Sequence, residues 1–148
     1  MTRTVPMGAW PYIETADHIL HAGDVVDTAV LDELKALAPV TVVVGNCDAF
    51  DVRDWGATDE VEIELDGIRI AMLHDAGPRE GRRARMRKRF PDARVVVFGH
   101  SHLPMNDDDG DLLLFNPGSP TWPRRAPFPS MGLLWIEDGD VEGDIFPV

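Results

Sequence analysis

The octapeptide Val95-Val96-Val97-Phe98-Gly99-His100-Ser101-His102 decides how the chain is read. Its first four residues are apolar and three are β-branched, the composition of a strand buried on both faces. Gly99 frees the backbone for a sharp turn, and two histidines follow with one residue between them. Imidazoles at i and i+2 just past a buried strand project into one crevice. In open α/β sheets that crevice, at the carboxyl ends of the strands, is where ligands sit. A lone loop histidine is more often a surface residue than a ligand, so the meaning of this pair rests on what the other strand ends carry.

Immediately upstream, Arg79–Phe90 is strongly basic and reads as a helix with a solvated face, stopped by Pro91. Before it, Val61–Leu65 alternates as a strand with one wet face does, and Asp66-Gly67 is a hairpin turn signal. The partner strand Ile68–Leu73 then ends in His74-Asp75. Further back, Asp17–Ala22 reads as a short strand closed by Gly23-Asp24. Asp27 caps a helix carrying Val30, Leu31, Leu34 and Leu37 on one face, and Pro39 stops it. Val40–Val44 is a second buried strand, ending in Gly45-Asn46-Cys47-Asp48. Strand, helix and strand in that order make a βαβ unit with a parallel sheet. In residues 1–16 the pattern is weak: Pro6 opens a short helix that Pro11 is expected to interrupt.

Downstream of the octapeptide, Asp107–Asp111 reads as a tight acidic turn without the spacing of a calcium loop. Leu112–Phe115, Met131–Ile136 and Val141–Phe146 are further strands, the last two joined at Asp138-Gly139. The proline-rich stretch 117–129 is expected as an ordered loop over the sheet's end. The whole, 148 residues with no internal repeat, reads as one domain over 1–148. No apolar run approaches the roughly 20 residues of a membrane span, and a formal net charge of −12 disfavours general binding to nucleic acid or anionic membrane. With Cys47 as its one cysteine no internal disulfide forms, and a cytoplasmic location is expected. A homo-oligomer is compatible with all of this.

Four strand-like segments thus end alike, in Gly23-Asp24, Gly45-Asn46, His74 and Gly99-His100-Ser101-His102. Any one of these is ordinary loop chemistry, but the coincidence at corresponding strand ends points to a metal centre. Asp, Asn and His together suit Mn, Fe, Zn or Ni better than the all-oxygen sites of Ca or Mg.

In this order the motifs resemble the calcineurin-like metallophosphoesterases, most closely their small bacterial and archaeal phosphodiesterase branch. Asn116-Pro117-Gly118-Ser119, with Pro120 and Arg124 downstream, extends the similarity, which runs from about Asp17 to the C-terminus. The resemblance implies an α/β fold, a four-layer α/β/β/α sandwich, with a dinuclear centre at the strand ends. It implies that Asp24 bridges two metals, that Asn46, His74 and His100 complete one of them, and that His102 touches its neighbour. Asp24, Asn46 and His100 are then the catalytic set. The cofactors are two divalent transition ions, manganese first, with zinc, iron or nickel as alternatives. Cys47 stands where larger relatives carry a histidine; a thiol cannot act as a cationic donor, and Cys47 reads as a small buried apolar residue.

The family's opening strand ends in Asp-x-His, and no such motif precedes Asp24: Asp17 and His18 are adjacent. The expectation is a fold without its first central strand and a second metal position that is weak, either because the N-terminus is drawn short or because the homologue is truncated. The implied function is phosphodiester hydrolysis by a metal-activated water, acting on a phosphate-ester small molecule or nucleotide and impaired in this chain. Two rival readings are a non-catalytic interaction module on the same fold and nucleic-acid binding through the basic helix 79–89.

Overall fold

The computed structural model describes residues 7–25, 27–48, 50–121 and 124–148. The octapeptide's strand, β5 (Val95–Val97), lies in the middle of a five-stranded sheet of order β3-β4-β5-β7-β6. Here β3 is Glu60–Leu65, β4 Ile68–Leu73, β6 Met105–Asp108 and β7 Leu113–Asn116. β4, β5 and β7 run parallel, while β3 and β6 are antiparallel edges. Asp66 (φ 48°) and Gly67 (φ 80°) both turn left-handed between β3 and β4, the backbone that an Asp-Gly hairpin provides. Side chains alternate across β4: Ala71 and Leu73 face one way, and Ile68, Ile70 and Met72 the other.

One face of this sheet is covered by α4 (Arg82–Arg89), through Met86 and the following Phe90 against Val96, Phe98 and Leu114. The other face packs on a second β layer made of two pairs. β1 (Ile19–His21) lies parallel to β2 (Val40–Val42), the expected βαβ unit, and β8 (Ser130–Glu137) is antiparallel to β9 (Asp140–Pro147). Leu20, Val43, Leu134 and Val141 meet Ile70, Val97 and Phe115 in this central core. A Cβ on Gly132 would lie 2.5 Å from Phe115 Cζ, so glycine is what lets that ring sit under the hairpin. Outside the second layer, α2 (Thr28–Lys35) and α3 (Phe50–Trp55) pack Leu31 and Val52 on Val42. A 3₁₀ turn (Met7–Ala9) and α1 (Trp10–Ile13) pack with Leu34 and Ile19. Helix, sheet, sheet and helix are the four layers the resemblance implies. Among the described residues β1 bonds only to β2 and β8 only to β9, so the inner layer is two pairs and not one sheet.

Four local readings are corrected. Pro11 does not interrupt α1, because it sits in the first turn, where its missing N–H has no intrahelical partner. α3 has no counterpart in the sequence reading, since six residues with a single buried side chain, Val52, show little periodicity. Asp107 and Asp108 belong to edge strand β6 and not to a turn, and such charge on an edge discourages pairing with other chains. The basic segment is helical only over Arg82–Arg89 and is not simply solvated. Arg85 donates to the Ala76 carbonyl (2.8 Å) and Arg87 to Ala93 (2.9 Å) and to the Asp111 carboxylate (2.9 Å). Arg83 pairs with Asp107 and Asp109, each at 3.2 Å, and Arg82 stacks on Phe98, 4.7 Å from its centroid. Arg83 and Arg87 thus fasten α4 to β6 and to the turn that follows it, residues 109–112.

Candidate metal centre

The polar strand ends converge as the sequence implies. β1 leads through Ala22 into Gly23 (φ 101°) and Asp24 (φ 58°), and the left-handed pair turns the chain so that the Asp24 carboxylate faces back over the strand ends. Asp48, a residue to which sequence reasoning assigned no role, fixes this turn. Its Oδ2 accepts from the backbone N–H of Asp24 (2.9 Å) and of Gly45 (2.7 Å), tying the two loops together. The Cys47 N–H donates to Asp24 Oδ1 (2.9 Å), which orients the carboxylate.

His74, at the end of β4, is buried. Its Nδ1–H donates to the Ala22 carbonyl (2.7 Å), so Nε2 carries the lone pair and is turned into the cluster. That nitrogen lies 2.8 Å from Asn46 Oδ1, 3.3 Å from His100 Nδ1 and 3.4 Å from Asp24 Oδ2. His100 Nδ1 lies 3.3 Å from Asn46 Oδ1, and the two imidazoles meet edge to face. Four side chains from four strand ends thus bring oxygen and ring-nitrogen atoms within 2.8 to 3.4 Å of one another.

This convergence tests whether the donor set fits a cation. The Asn46 oxygen faces only acceptors, an arrangement that gains hydrogen bonds if the amide turns to present its NH₂. A cation at the point of convergence satisfies the same lone pairs with the oxygen inward. Donors at about 2.0–2.2 Å from one ion stand roughly 3 Å apart, and the observed separations are 2.8 to 3.4 Å. Among the described residues no group of three or more His, Cys, Asp and Glu side chains is placed to hold an ion by itself.

His102 (φ 59°) and Arg124 line the same cavity as Asp24, Cys47 and His100. Arg124 Nη1 donates to the His100 carbonyl at 3.4 Å. Cys47 is exposed, which corrects the buried apolar reading, because it sits on the tip of the loop after β2. Partial desolvation and the adjacent Asp24 carboxylate push its thiol up, with Arg124 acting in the opposite direction. His21 was not singled out by the sequence, since it lies within a strand. Its Nδ1 accepts from the Gly23 N–H (3.2 Å), and burial lowers its pKa against the pull of Asp48 and Asp24. The loop 117–129 does lie over the sheet's end: Asn116 Nδ2 donates to the Gly99 carbonyl (3.2 Å) and Ser130 Oγ to Pro117 (2.8 Å). Within it, residues 122 and 123 fall outside the described residues.

Comparison with known proteins bears on this cluster. The calcineurin-like phosphoesterase superfamily domain matches residues 3–139. A probable metallophosphoesterase of Methanocaldococcus jannaschii is 36% identical over 147 residues, covering 97% of this chain and 73% of the relative. Wild-type Vps29 of Entamoeba histolytica, solved in complex with zinc, shares the fold with a TM-score of 0.76 at 24% identity, covering 99% of this chain and 91% of the other. A structure described as a novel archaeal phosphodiesterase gives a TM-score of 0.68 at 21% identity, covering 97% and 96%.

Proposed function

The chain belongs to the calcineurin-like phosphoesterase superfamily, and from that premise we propose that it is a metal-dependent phosphoesterase acting on phosphodiesters. The observation that carries this reading is the convergence of Asp24, Asn46, His74 and His100 with acceptor separations of 2.8 to 3.4 Å. Those four residues would hold one divalent transition ion, manganese foremost, and His102 with Asp24 would contribute to a second, weaker position. A bound ion supplies Lewis-acid charge at phosphorus and an acidified water.

The chain's own groups do the rest. His74 is locked by Ala22, so its lone pair needs no reorganisation before it binds. Asp48 holds the two loops that carry Asp24 and Asn46 at fixed separation. The carboxylates of Asp24 and Asp48 make the cleft anionic, and Arg124 brings positive charge to its wall, where it meets a phosphodiester oxygen. The cleft communicates with a cavity of about 820 Å³, within the range of small-molecule sites. We take the substrate to be a phosphate ester of nucleotide size or smaller. Among the described residues no helix is long and apolar enough to cross a membrane.

The test is hydrolysis of bis(p-nitrophenyl) phosphate in manganese buffer, before and after chelation, by the chain and by Asn46→Ala. Turnover that is lost on chelation, restored by metal and absent in Asn46→Ala supports the assignment. A second reading, a non-catalytic interaction module, is favoured by the likeness to Vps29 folds and by the small count of acidic and imidazole ligands. Metal binding without turnover on any phosphodiester would select it.

A further inference from the structure

We propose that Asp75 is a positioning residue of the metal centre: its carboxylate faces the outer nitrogen of His100 and fixes that ring for a cation bound through the inner one. This role deepens the metal-dependent function proposed above and rests on it.

The two histidines of the cluster are built alike. His74 turns Nε2 inward and commits Nδ1 to the Ala22 carbonyl at 2.7 Å. His100 turns Nδ1 inward, 3.3 Å from both Asn46 Oδ1 and His74 Nε2. Its other nitrogen, Nε2, faces Asp75 Oδ2 at 3.9 Å. Each ring thus has one nitrogen toward the cluster and the other toward an oxygen, the arrangement that holds an imidazole in one tautomer and one orientation. The His100 contact is the looser of the two, at ion-pair distance and longer than a hydrogen bond. A cation on Nδ1 leaves the ring's remaining proton on Nε2 and makes it a stronger donor, which draws the carboxylate onto it. The carboxylate in turn raises the basicity of Nδ1.

Asp75 is itself held in place. Buried and exposed residues alternate through His74, Asp75 and Ala76, so the residue after the buried His74 emerges at the rim of the cluster. Its Oδ1 accepts from the Gly77 N–H at 2.8 Å, an Asx turn that leaves Oδ2 for His100. The loop beyond is fastened by two arginines of α4. Arg85 donates to the carbonyls of Ala76 (2.8 Å) and Pro78 (2.6 Å), and Arg82 to that of Gly77 between them (2.8 Å). Three successive carbonyls are thus taken by two guanidinium groups. Gly77 makes this approach possible: its φ is 77°, and a Cβ there would stand 2.9 Å from Arg85 Nη2. A carboxylate on a loop so braced needs little reorganisation to meet His100.

Partial exposure sets the size of the effect. The side chains of His100 and Asp75 are 40% and 57% exposed, so water screens the pair. Removing the outer partner of a metal-bound histidine costs about 10- to 100-fold in metal affinity. The screening puts Asp75 at the low end of that range.

The experiment separates the two carboxylate oxygens. Asp75→Asn keeps an oxygen for the Gly77 N–H but removes the charge that faces His100. Asp75→Glu keeps the charge and spoils the tight turn. Glu80→Gln, which removes the same charge from an exposed position on the same loop, is the control. Zinc chloride is titrated calorimetrically into the parent chain and the three variants, with thermal melts confirming that each is folded. The expected zinc affinity is about tenfold weaker in Asp75→Asn, closer to the parent in Asp75→Glu and parental in Glu80→Gln. A carboxylate that only braces its own turn gives the reverse order, with Asp75→Asn at parental affinity, and that result overturns the proposal. An equal loss in Asp75→Asn and either of the other two variants also overturns it. Both results leave the metal centre standing, whereas a parent chain that binds no zinc overturns the centre and the role of Asp75 with it.

Discussion

His74 shows how much of the centre is set one atom at a time. Its Nδ1–H is committed to the Ala22 carbonyl, so the ring has one nitrogen left to offer and one direction in which to offer it. Asp48 acts similarly without touching the point of convergence, since a single oxygen accepts two backbone N–H groups from separate loops. Asp48→Ala leaves both donors without that acceptor. We expect a loss of about 2 kcal/mol in unfolding free energy and a weaker metal affinity, read by denaturant titration and calorimetry on the same protein. Arg124 is expected to act on the substrate and not on the ion: Arg124→Ala raises KM for a phosphodiester several-fold while metal content stays at the parent level, and Arg124→Lys recovers part of the loss. The convergence of Asp24, Asn46, His74 and His100 was legible because each follows a strand that the hydrophobic pattern marks. Asp48 and His21 were not, because a carboxylate that binds backbone and an imidazole inside a strand leave no trace in spacing.

At the scale of elements, the contrast between α4 and β6 is instructive. Read along the chain, Arg79–Phe90 is a basic helix and Asp107–Asp111 an acidic turn, two unrelated surface features. In the fold they are complementary halves of one edge, with Arg83 and Arg87 reaching across to the acidic run. Pairing between distant segments is invisible to local periodicity, which is also why Asp107 and Asp108, in β6, read as part of a turn. The neighbouring Arg94 grips Asp108 with two bonds of 2.9 Å, and that hydrogen bonding holds the Asp108 carboxyl below its usual pKa. A depressed carboxyl stabilises the fold above its unfolded pKa and loses the effect as pH falls through the folded one. Asp108→Asn should therefore cost up to about 1 kcal/mol at neutral pH, since the pair is partly exposed. The difference from the parent chain should shrink below about pH 4, as thermal melts at stepped pH would show. Strands β3, β4, β8 and β9 were legible from alternation and Asp-Gly turns, whereas α3 is too short for its single buried side chain to declare it.

For the whole molecule, the four layers bring the carboxyl ends of β1, β2, β4 and β5 to one rim, and the proposed metal centre is a consequence of that arrangement. Each of the four side chains enters from a different strand, so no local segment contains the cluster and only the assembled core positions it. The layer order was available from the motif resemblance, as was the expectation of a fold without its first central strand; how the pairs β1-β2 and β8-β9 sit beside a cavity was not, because it concerns what lies between elements. The central claim is that Asp24, Asn46, His74 and His100 form one cation site. Calorimetric titration of the chain with manganese or zinc, beside His74→Ala and His100→Ala, tests it most directly. The account predicts about one ion per chain, with binding largely lost in both variants while their folded spectra are retained. Unchanged affinity in both would contradict it.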